Sequence, residues 1–379
     1  MIPLFKVFMA PTAKEKVGEV LDSGYIGQGS KVDEFENQLG EFFGNKKVTT
    51  TNSGTSALHL ALHLLKKPQF NYPGIKKGDE ILATALTCTA SNWPILANGF
   101  KIKWVDIDPT TLNIDLEDLE RKITPKTKAI MGVHWGGYPL DLNKIQQIQK
   151  RFKKKYGWAP ALIEDGAHSM GTKYKGQYLG NHGNFVMNSL QAIKHITSID
   201  GGLLYCPHNE LYERAKLIRW YGIDRNPKGR TDFRCEANIP EWGFKFHMND
   251  VCAVVGIENF KHLKKITSKH KSNAEYYDKN LKNVKGVTLL KRTKGFDSSF
   301  WIYSMLVDNR EKFYKWMKKC NIAVSQVHER NDKHSCVSEF KTELPNLEKT
   351  ISKVVNIPVG WWVTKEQRKY IVESIKKGW

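Results

Sequence analysis

The sequence predicts an α/β protein: a mostly parallel central sheet with helices on both faces, followed by a smaller C-terminal α+β unit. Three observations predict it. Between residues 80 and 165, short apolar runs ending in polar or small residues alternate with helical patterns, the grammar of a doubly wound sheet. The chain has 379 residues, 40% hydrophobic and 11% aromatic, enough for a large core. Beyond Asp250 the alternation loosens. The expected division is a large unit over 1–255 and a small one over 256–379.

Taken in order, residues 25–36 (Tyr-Ile-Gly-Gln-Gly-Ser-Lys-Val-Asp-Glu-Phe-Glu) offer a glycine-rich turn and an amphipathic helix opened by Ser30. Residues 47–62 read as a short β-branched strand, a tight turn and a helix beginning near Thr55. Small residues at that helix start leave backbone N–H groups open to an anion, although capping by Ser53 explains the same pattern. Residues 80–85, 103–108, 129–134 and 161–165 are the expected strands. In such sheets ligands lie beyond the C-terminal strand ends, which places Thr87, Asp108, His134 and Asp165 there. Further on, 271–281 and 311–320 have helical patterns, and 286–290 and 299–307 read as strands.

Composition excludes several classes. The net charge of +20 suits an anionic small molecule or nucleic acid. Its lysines fall in short scattered runs, without the aromatic-interleaved basic block or finger spacing that nucleic-acid recognition needs. The six cysteines (Cys88, Cys206, Cys235, Cys252, Cys320, Cys336) contain no Cys-x-x-Cys pair, so reduced thiols are expected and no metal site. The opening residues are too short a run for a secretory signal, and no apolar run reaches the ~18 residues of a membrane span, so a cytoplasmic protein is expected.

Chemistry centres on residues 188–202, Asn-Ser-Leu-Gln-Ala-Ile-Lys-His-Ile-Thr-Ser-Ile-Asp-Gly-Gly, with Lys194 among neutral or apolar neighbours. Desolvation lowers an amine's pKa, and a neutral amine forms a Schiff base with carbonyl compounds. A lysine at a loop edge with its head in solvent fits the segment too. Asp165, finishing a buried strand before Gly-Ala-His, is placed to pair with a cationic ring nitrogen, with His168 beside it. A helix N-cap fits Asp165 equally.

These signals come in a recognisable order: 53–58 (Ser-Gly-Thr-Ser-Ala-Leu), 105–108 (Val-Asp-Ile-Asp), 133–139 (Val-His-Trp-Gly-Gly-Tyr-Pro), 164–168 (Glu-Asp-Gly-Ala-His), and Ser189 five residues before Lys194. Together they resemble the sugar aminotransferases of the DegT/DnrJ/EryC1/StrS family over nearly the whole chain. The resemblance implies an aspartate-aminotransferase-like fold, that of the fold type I enzymes of pyridoxal 5'-phosphate, with pyridoxamine 5'-phosphate formed in the half-reaction. It implies that Lys194 forms the Schiff base and moves protons, and that Asp165 keeps the ring nitrogen protonated. His168 then sits near the ring hydroxyl, and Gly54, Thr55 and Ser189 hold the phosphate. A relative in this family carries histidine at the lysine position and dehydrates its substrate; counting five from Ser189 puts Lys194 there and His195 one residue later.

The chain departs from the family pattern in three places. Cys88 stands where an aromatic residue commonly covers the ring. Lys245 and His247 stand in the later segment whose asparagine reaches a partner subunit's phosphate, so Lys245 is the expected contact there, as a point charge. Asp200 precedes the glycine pair where glutamate is common. In the C-terminal unit, 327–334 (Val-His-Glu-Arg-Asn-Asp-Lys-His) is a polar loop where the family's loop approaches the site. His328 and Arg330, and less directly Arg225, are therefore expected to meet substrate phosphates or hydroxyls, unless the loop is merely solvated. The expected function is transfer of an amino group from L-glutamate to a keto group of a nucleotide-linked deoxysugar, for amino-sugar and surface polysaccharide biosynthesis, by a homodimer. A smaller keto-phosphate acceptor is an alternative, as is a regulator that binds ligand or nucleic acid without turnover.

Overall fold

The structure is a computed structural model that describes residues 1–225 and 238–379; Cys235 lies outside the described residues. An N-terminal arm leads into α1 (Ala13–Asp22) and α2 (Ser30–Phe43). Then come β1 (Val48–Thr51), α3 (Gly54–Leu64), β2 (Glu80–Thr84), α4 (Thr89–Ala97), β3 (Lys101–Val105), α5 (Leu116–Lys122), β4 (Thr127–Val133), α6 (Leu142–Tyr156) and β5 (Ala161–Asp165). A small hairpin, β6 (Lys173–Tyr174) and β7 (Gln177–Tyr178), precedes β8 (Phe185–Ser189), β9 (Gly202–Tyr205) and α7 (Asn209–Ile218). Seven of these strands form one sheet in the order β1-β9-β8-β5-β4-β2-β3. The five from β8 to β3 are parallel, and β9 runs antiparallel to both its neighbours.

The central strands are mostly apolar and buried because both faces are covered. Alternate residues serve opposite layers: Ile81, Ala83, Met131 and Ile163 pack with α3 on one side. Leu82, Ile130 and Leu162 pack with Phe35 and Leu39 of α2 and Ile145 and Ile148 of α6 on the other. The chain continues through α8 (Asp250–Phe260), α9 (Leu263–Leu281), β10 (Val287–Leu289), β11 (Phe296–Asp297), β12 (Tyr303–Val307), α10 (Arg310–Lys319), α11 (Pro345–Thr350), β13 (Val354–Ile357) and α12 (Lys365–Lys376). A three-stranded sheet β10-β12-β13 carries a third apolar cluster with Tyr277, Phe313 and Ile371. Ile2 joins this cluster, its N–H donating to the Asn321 carbonyl at 2.8 Å, so the first residues are tied to late ones. No described helix is long and apolar enough to cross a membrane.

Three local expectations change. α2 starts at Ser30, yet Ser30 does not cap it. Asp250, at the start of α8, accepts from the N–H groups of Gly29 at 2.8 Å, Lys31 at 3.3 Å and Val32 at 3.1 Å, because a carboxylate satisfies several orphan donors at once. Asp108 turns inward on its own loop and accepts from Thr110 and Thr111. The run 299–307 becomes a strand only from Tyr303, because Phe300 adopts a left-handed φ of 51° and turns the chain. The described cysteines Cys88, Cys206, Cys252, Cys320 and Cys336 are free.

Candidate active site

The register of the sheet assembles the site. Gly202 of β9 pairs with Thr51 on one side and Ser189 on the other, so the ends of β1 and β8 lie two strands apart. The turn after β1 starts α3, whose Ser53 caps by accepting the Ser56 N–H at 3.1 Å. A Cβ on Gly54 would stand 2.9 Å from the Met187 sulfur and 3.2 Å from the Ser189 Cβ. Only glycine lets the helix start approach β8 this closely. The result is a helix N-terminus, with buried Gly54 and exposed Thr55, against the Ser189 side chain, an arrangement that suits a phosphate.

Asp165 ends β5 and is buried. One carboxylate oxygen accepts the Ser91 hydroxyl at 2.5 Å, and Ser91 in turn lies 2.7 Å from the Thr87 hydroxyl; the other accepts the Ala167 N–H at 3.0 Å. Gly166 follows because a Cβ there would lie 2.6 Å from the Met187 carbonyl and 2.8 Å from the Asn188 amide nitrogen. His134 and Glu164, just behind, are fully buried. The Leu140 N–H donates to His134 Nδ1 at 3.0 Å, so the proton sits on Nε2 and goes to Glu164 at 2.9 Å. His134 therefore supports the strand ends rather than facing the cleft.

Lys194 follows β8. It is half-buried, and among the described residues its amine has no hydrogen bond or ion pair. Burial lowers its pKa to about 8, with Asp165 and Cys88 drawing it partly back up. The amine rests 3.7 Å from the centroid of the Trp301 ring. That ring stacks on His168 at 4.0 Å, and His168 stacks on His328 at 5.3 Å with the planes 4° apart. The Gly136 N–H donates to His168 Nδ1, so His168 Nε2 carries the proton toward His328 Nε2 at 3.3 Å. Burial holds both rings neutral: His328 falls to about 3, and His168 lies well below its ordinary value, with the Lys194 charge adding to each shift.

The polar loop 327–334 does reach this place. Arg330 bridges Leu86, and Asn331 donates its N–H to the Ala85 carbonyl at 2.8 Å and its amide to the Cys88 carbonyl at 3.3 Å. Cys88 is half-buried and stands at the residue before α4 without a capping bond from its side chain. Arg330 is differently engaged from the sequence expectation: its guanidinium forks onto Asp332 at 2.8 and 2.7 Å and also meets Glu348. Those carboxylates take the donors that a substrate phosphate would need. Arg225 is exposed, donates to the Gln28 carbonyl at 2.8 Å and lies over the Trp220 ring. Lys245 has an exposed side chain, but its carbonyl accepts from Asn52 at 3.2 Å, beside the start of α3. Arg219 is buried in an ion pair with Glu36 and is structural. Sequence reading missed Trp301 and Ser91; for Ser91 the signal was there, a hydroxyl one helical turn after Thr87 on a segment already assigned to the ring. A cavity of about 700 Å³, lined by Tyr72, Gln146 and Trp158, includes Ala161 and Phe185, the first residues of β5 and β8, and so lies at the opposite sheet edge from Lys194.

An uncommitted amine of lowered pKa, a buried carboxylate and an anion cradle meet at the C-terminal edge of a parallel sheet, and they fit pyridoxal phosphate on three independent points. The glycine-only approach of α3 to Ser189 suits the phosphate, Asp165 offers a carboxylate for a ring nitrogen, and the Lys194 amine has no hydrogen-bond or ion-pair partner among the described residues. This is the fold type I class of pyridoxal phosphate enzymes. Residues 9–376 match the DegT/DnrJ/EryC1/StrS aminotransferase family, and the chain belongs to it. It is an aminotransferase with pyridoxal phosphate as cofactor. The structure is similar to that of AtS13 from Actinomadura melliaura, with 46% identity and a TM-score of 0.95, covering 100% of this chain and 99% of that one. It is equally similar in fold to the sugar aminotransferase CalS13 from Micromonospora echinospora, with 41% identity, a TM-score of 0.95 and full coverage of both (100%). The UDP-4-amino-4-deoxy-L-arabinose–oxoglutarate aminotransferase of Shewanella sediminis (strain HAW-EB3) is 30% identical over 363 residues, 90% of this chain and 89% of that protein.

Proposed function

We propose that this chain transfers an amino group from L-glutamate to a keto group of a nucleotide-linked deoxysugar, for amino-sugar and surface polysaccharide biosynthesis, as a cytoplasmic homodimer. The observation that carries the reading is Lys194, an amine lowered to about 8 by burial and uncommitted to any carboxylate among the described residues. Nucleotide-sugar amination is supported by the relative from Shewanella, which is named for a UDP-linked amino sugar; its pairing with oxoglutarate, the keto form of glutamate, supports the donor. The net charge of +20 suits a diphosphate-linked acceptor.

In this reading Lys194 would hold the cofactor when it is bound and, with its amine free, would take a proton from the donor's α-carbon and give it back as a general acid. An amine titrating near 8 is partly neutral at pH 7–8 and can do both. When bound, pyridoxal phosphate supplies the electron sink for that proton transfer. Asp165, kept in place by Ser91 and the Ala167 N–H, pairs with the ring nitrogen. Gly54, Thr55 and Ser189 would hold the phosphate, Cys88 would lie near the ring, and His168 would serve its hydroxyl. His328, neutral and stacked on His168, faces the acceptor. Arg225 and Arg330 remain substrate contacts in this proposal only if binding frees them from Gln28 and from Asp332 and Glu348. The unit over 1–255 supplies the cofactor groups, and the unit over 256–379 closes over them with His328.

Lys245 is exposed beside the start of α3, and in this reading it would reach a partner subunit's cofactor phosphate. Lys245→Ala is expected to weaken cofactor retention several-fold in equilibrium dialysis; unchanged retention removes Lys245 from the site. The substrate class is tested by incubating the cofactor-loaded protein with L-glutamate and a panel of nucleotide-linked keto sugars, read by mass spectrometry. An amino sugar nucleotide together with 2-oxoglutarate is expected. Amination of a small keto-phosphate, with every nucleotide sugar unchanged, would replace this reading.

A further inference from the structure

We propose that Trp301 is a positioning residue for Lys194: one indole ties down the backbone that carries the lysine and gives its amine a π face to rest on. The proposal deepens the reading of Lys194 as the reactive amine, and its test uses neither cofactor nor substrate, so the two fail separately.

Trp301 is itself rigid. It is 2% exposed, with Phe5 stacked on it at 5.0 Å and His168 at 4.0 Å. Its Nε1–H donates to the carbonyl of Ile193 at 2.9 Å, so the residue immediately before Lys194 is fixed by the same ring that meets the amine at 3.7 Å. The residue after Lys194 is held by the same turn. His195 is buried, and its Nε2–H donates to the Ser299 carbonyl at 3.1 Å. The turn is anchored in its own right: His270 Nδ1–H donates to the Phe300 carbonyl at 2.8 Å and the Ser299 N–H to the Thr172 hydroxyl at 3.1 Å. The segment 299–301 therefore grips the chain on both sides of Lys194.

A lysine stem has four rotatable bonds, and a half-buried amine without a hydrogen-bond partner would otherwise sample many positions. An indole face attracts the protonated amine without forming a bond that must be broken when the amine has to react. A carboxylate at the same place would hold it protonated. The turn lies between β11 and β12, so the late part of the chain sets where the lysine of the early part stands.

The full-length chain, stripped of cofactor, is labelled with acetic anhydride across a pH series, and the Lys194 peptide is quantified by mass spectrometry. Trp301→Phe keeps a π face and loses the N–H; Trp301→Leu loses both. Loss of the N–H tether is expected to raise the limiting labelling rate at high pH about threefold to tenfold in both variants. Loss of the π face is expected to set the labelling midpoint of Trp301→Leu about half a pH unit below that of Trp301→Phe. Thermal melts of both variants report any general loosening, which shifts the two together. Equal midpoints, or a higher one in Trp301→Leu, overturn the amine contact, and an unchanged limiting rate overturns the tether. Should Trp301→Leu fail to fold, Trp301→Met against Trp301→Phe gives the same comparison.

Discussion

At the residue scale the site depends on neighbours as much as on the groups that meet the cofactor. Asp165 is held by a hydroxyl chain from Thr87 through Ser91, and the 2.5 Å bond from Ser91 fixes which way the carboxylate points. Removing that donor leaves a buried carboxylate oxygen short of a partner, a loss of about 1–3 kcal/mol. Ser91→Ala is therefore expected to lower turnover about tenfold, measured as glutamate-dependent release of 2-oxoglutarate, with Ser91→Thr restoring most of it. Asp165 and Gly54 were legible from strand and helix grammar, Lys194 from its neutral and apolar neighbours, and Ser189 only through the family resemblance. Trp301 was hidden for a physical reason. In Ser-Phe-Trp-Ile-Tyr the apolar run reads as continuous strand, and only the left-handed Phe300 turns the indole under the lysine. Arg330 looked free because its partners Asp332 and Glu348 become partners through folding of 330–348 rather than through a periodic pattern.

At the element scale, helices and strands followed from period and punctuation, while the groups that join distant elements did not. Asp250 is the clearest case. It lies 221 residues from Gly29 and yet satisfies three N–H groups at the start of α2. Its replacement by alanine is expected to cost about 2 kcal/mol, since a charged cap with several donors sits at the upper end of capping energies. Urea unfolding of Asp250→Ala should show a lower midpoint, with Asp250→Asn intermediate because an amide oxygen accepts without charge. A variant as stable as the parent would return the cap to Ser30. No local pattern could have revealed this cap, because α2 and α8 meet only when the sheet is wrapped. The long run at 299–307 failed for a related reason: strand propensity is overridden where His195 and His270 hold the backbone in a turn.

At the scale of the whole molecule, buried histidines make stability depend on pH. Burial lowers His270 to about 4 and His328 to about 3, and holds His168 and His195 well below their ordinary values. Unfolded, each would titrate near 6.5. Above that pH neither state binds the protons and stability is intact. Between 6.5 and about 4 the unfolded chain takes up protons that the folded one excludes, so stability falls as pH falls, by up to about 3 kcal/mol for His270 alone. Urea midpoints are expected to drop from pH 7 to pH 5, and His270→Asn should flatten that slope; an identical slope in the variant would contradict the assignment. The parallel sheet and its two covered faces were legible in the alternation of apolar runs. The antiparallel insertion of β9 between β1 and β8 was not, although it brings Ser189 beside Gly54. The central proposal is that Lys194 is the amine that holds the cofactor. The most direct measurement loads the full-length chain with pyridoxal phosphate, reduces it with borohydride and maps the added mass by peptide mass spectrometry. The account predicts the cofactor's mass on Lys194, and none on it when L-glutamate is supplied before reduction; mass on another lysine, or on none, would contradict it.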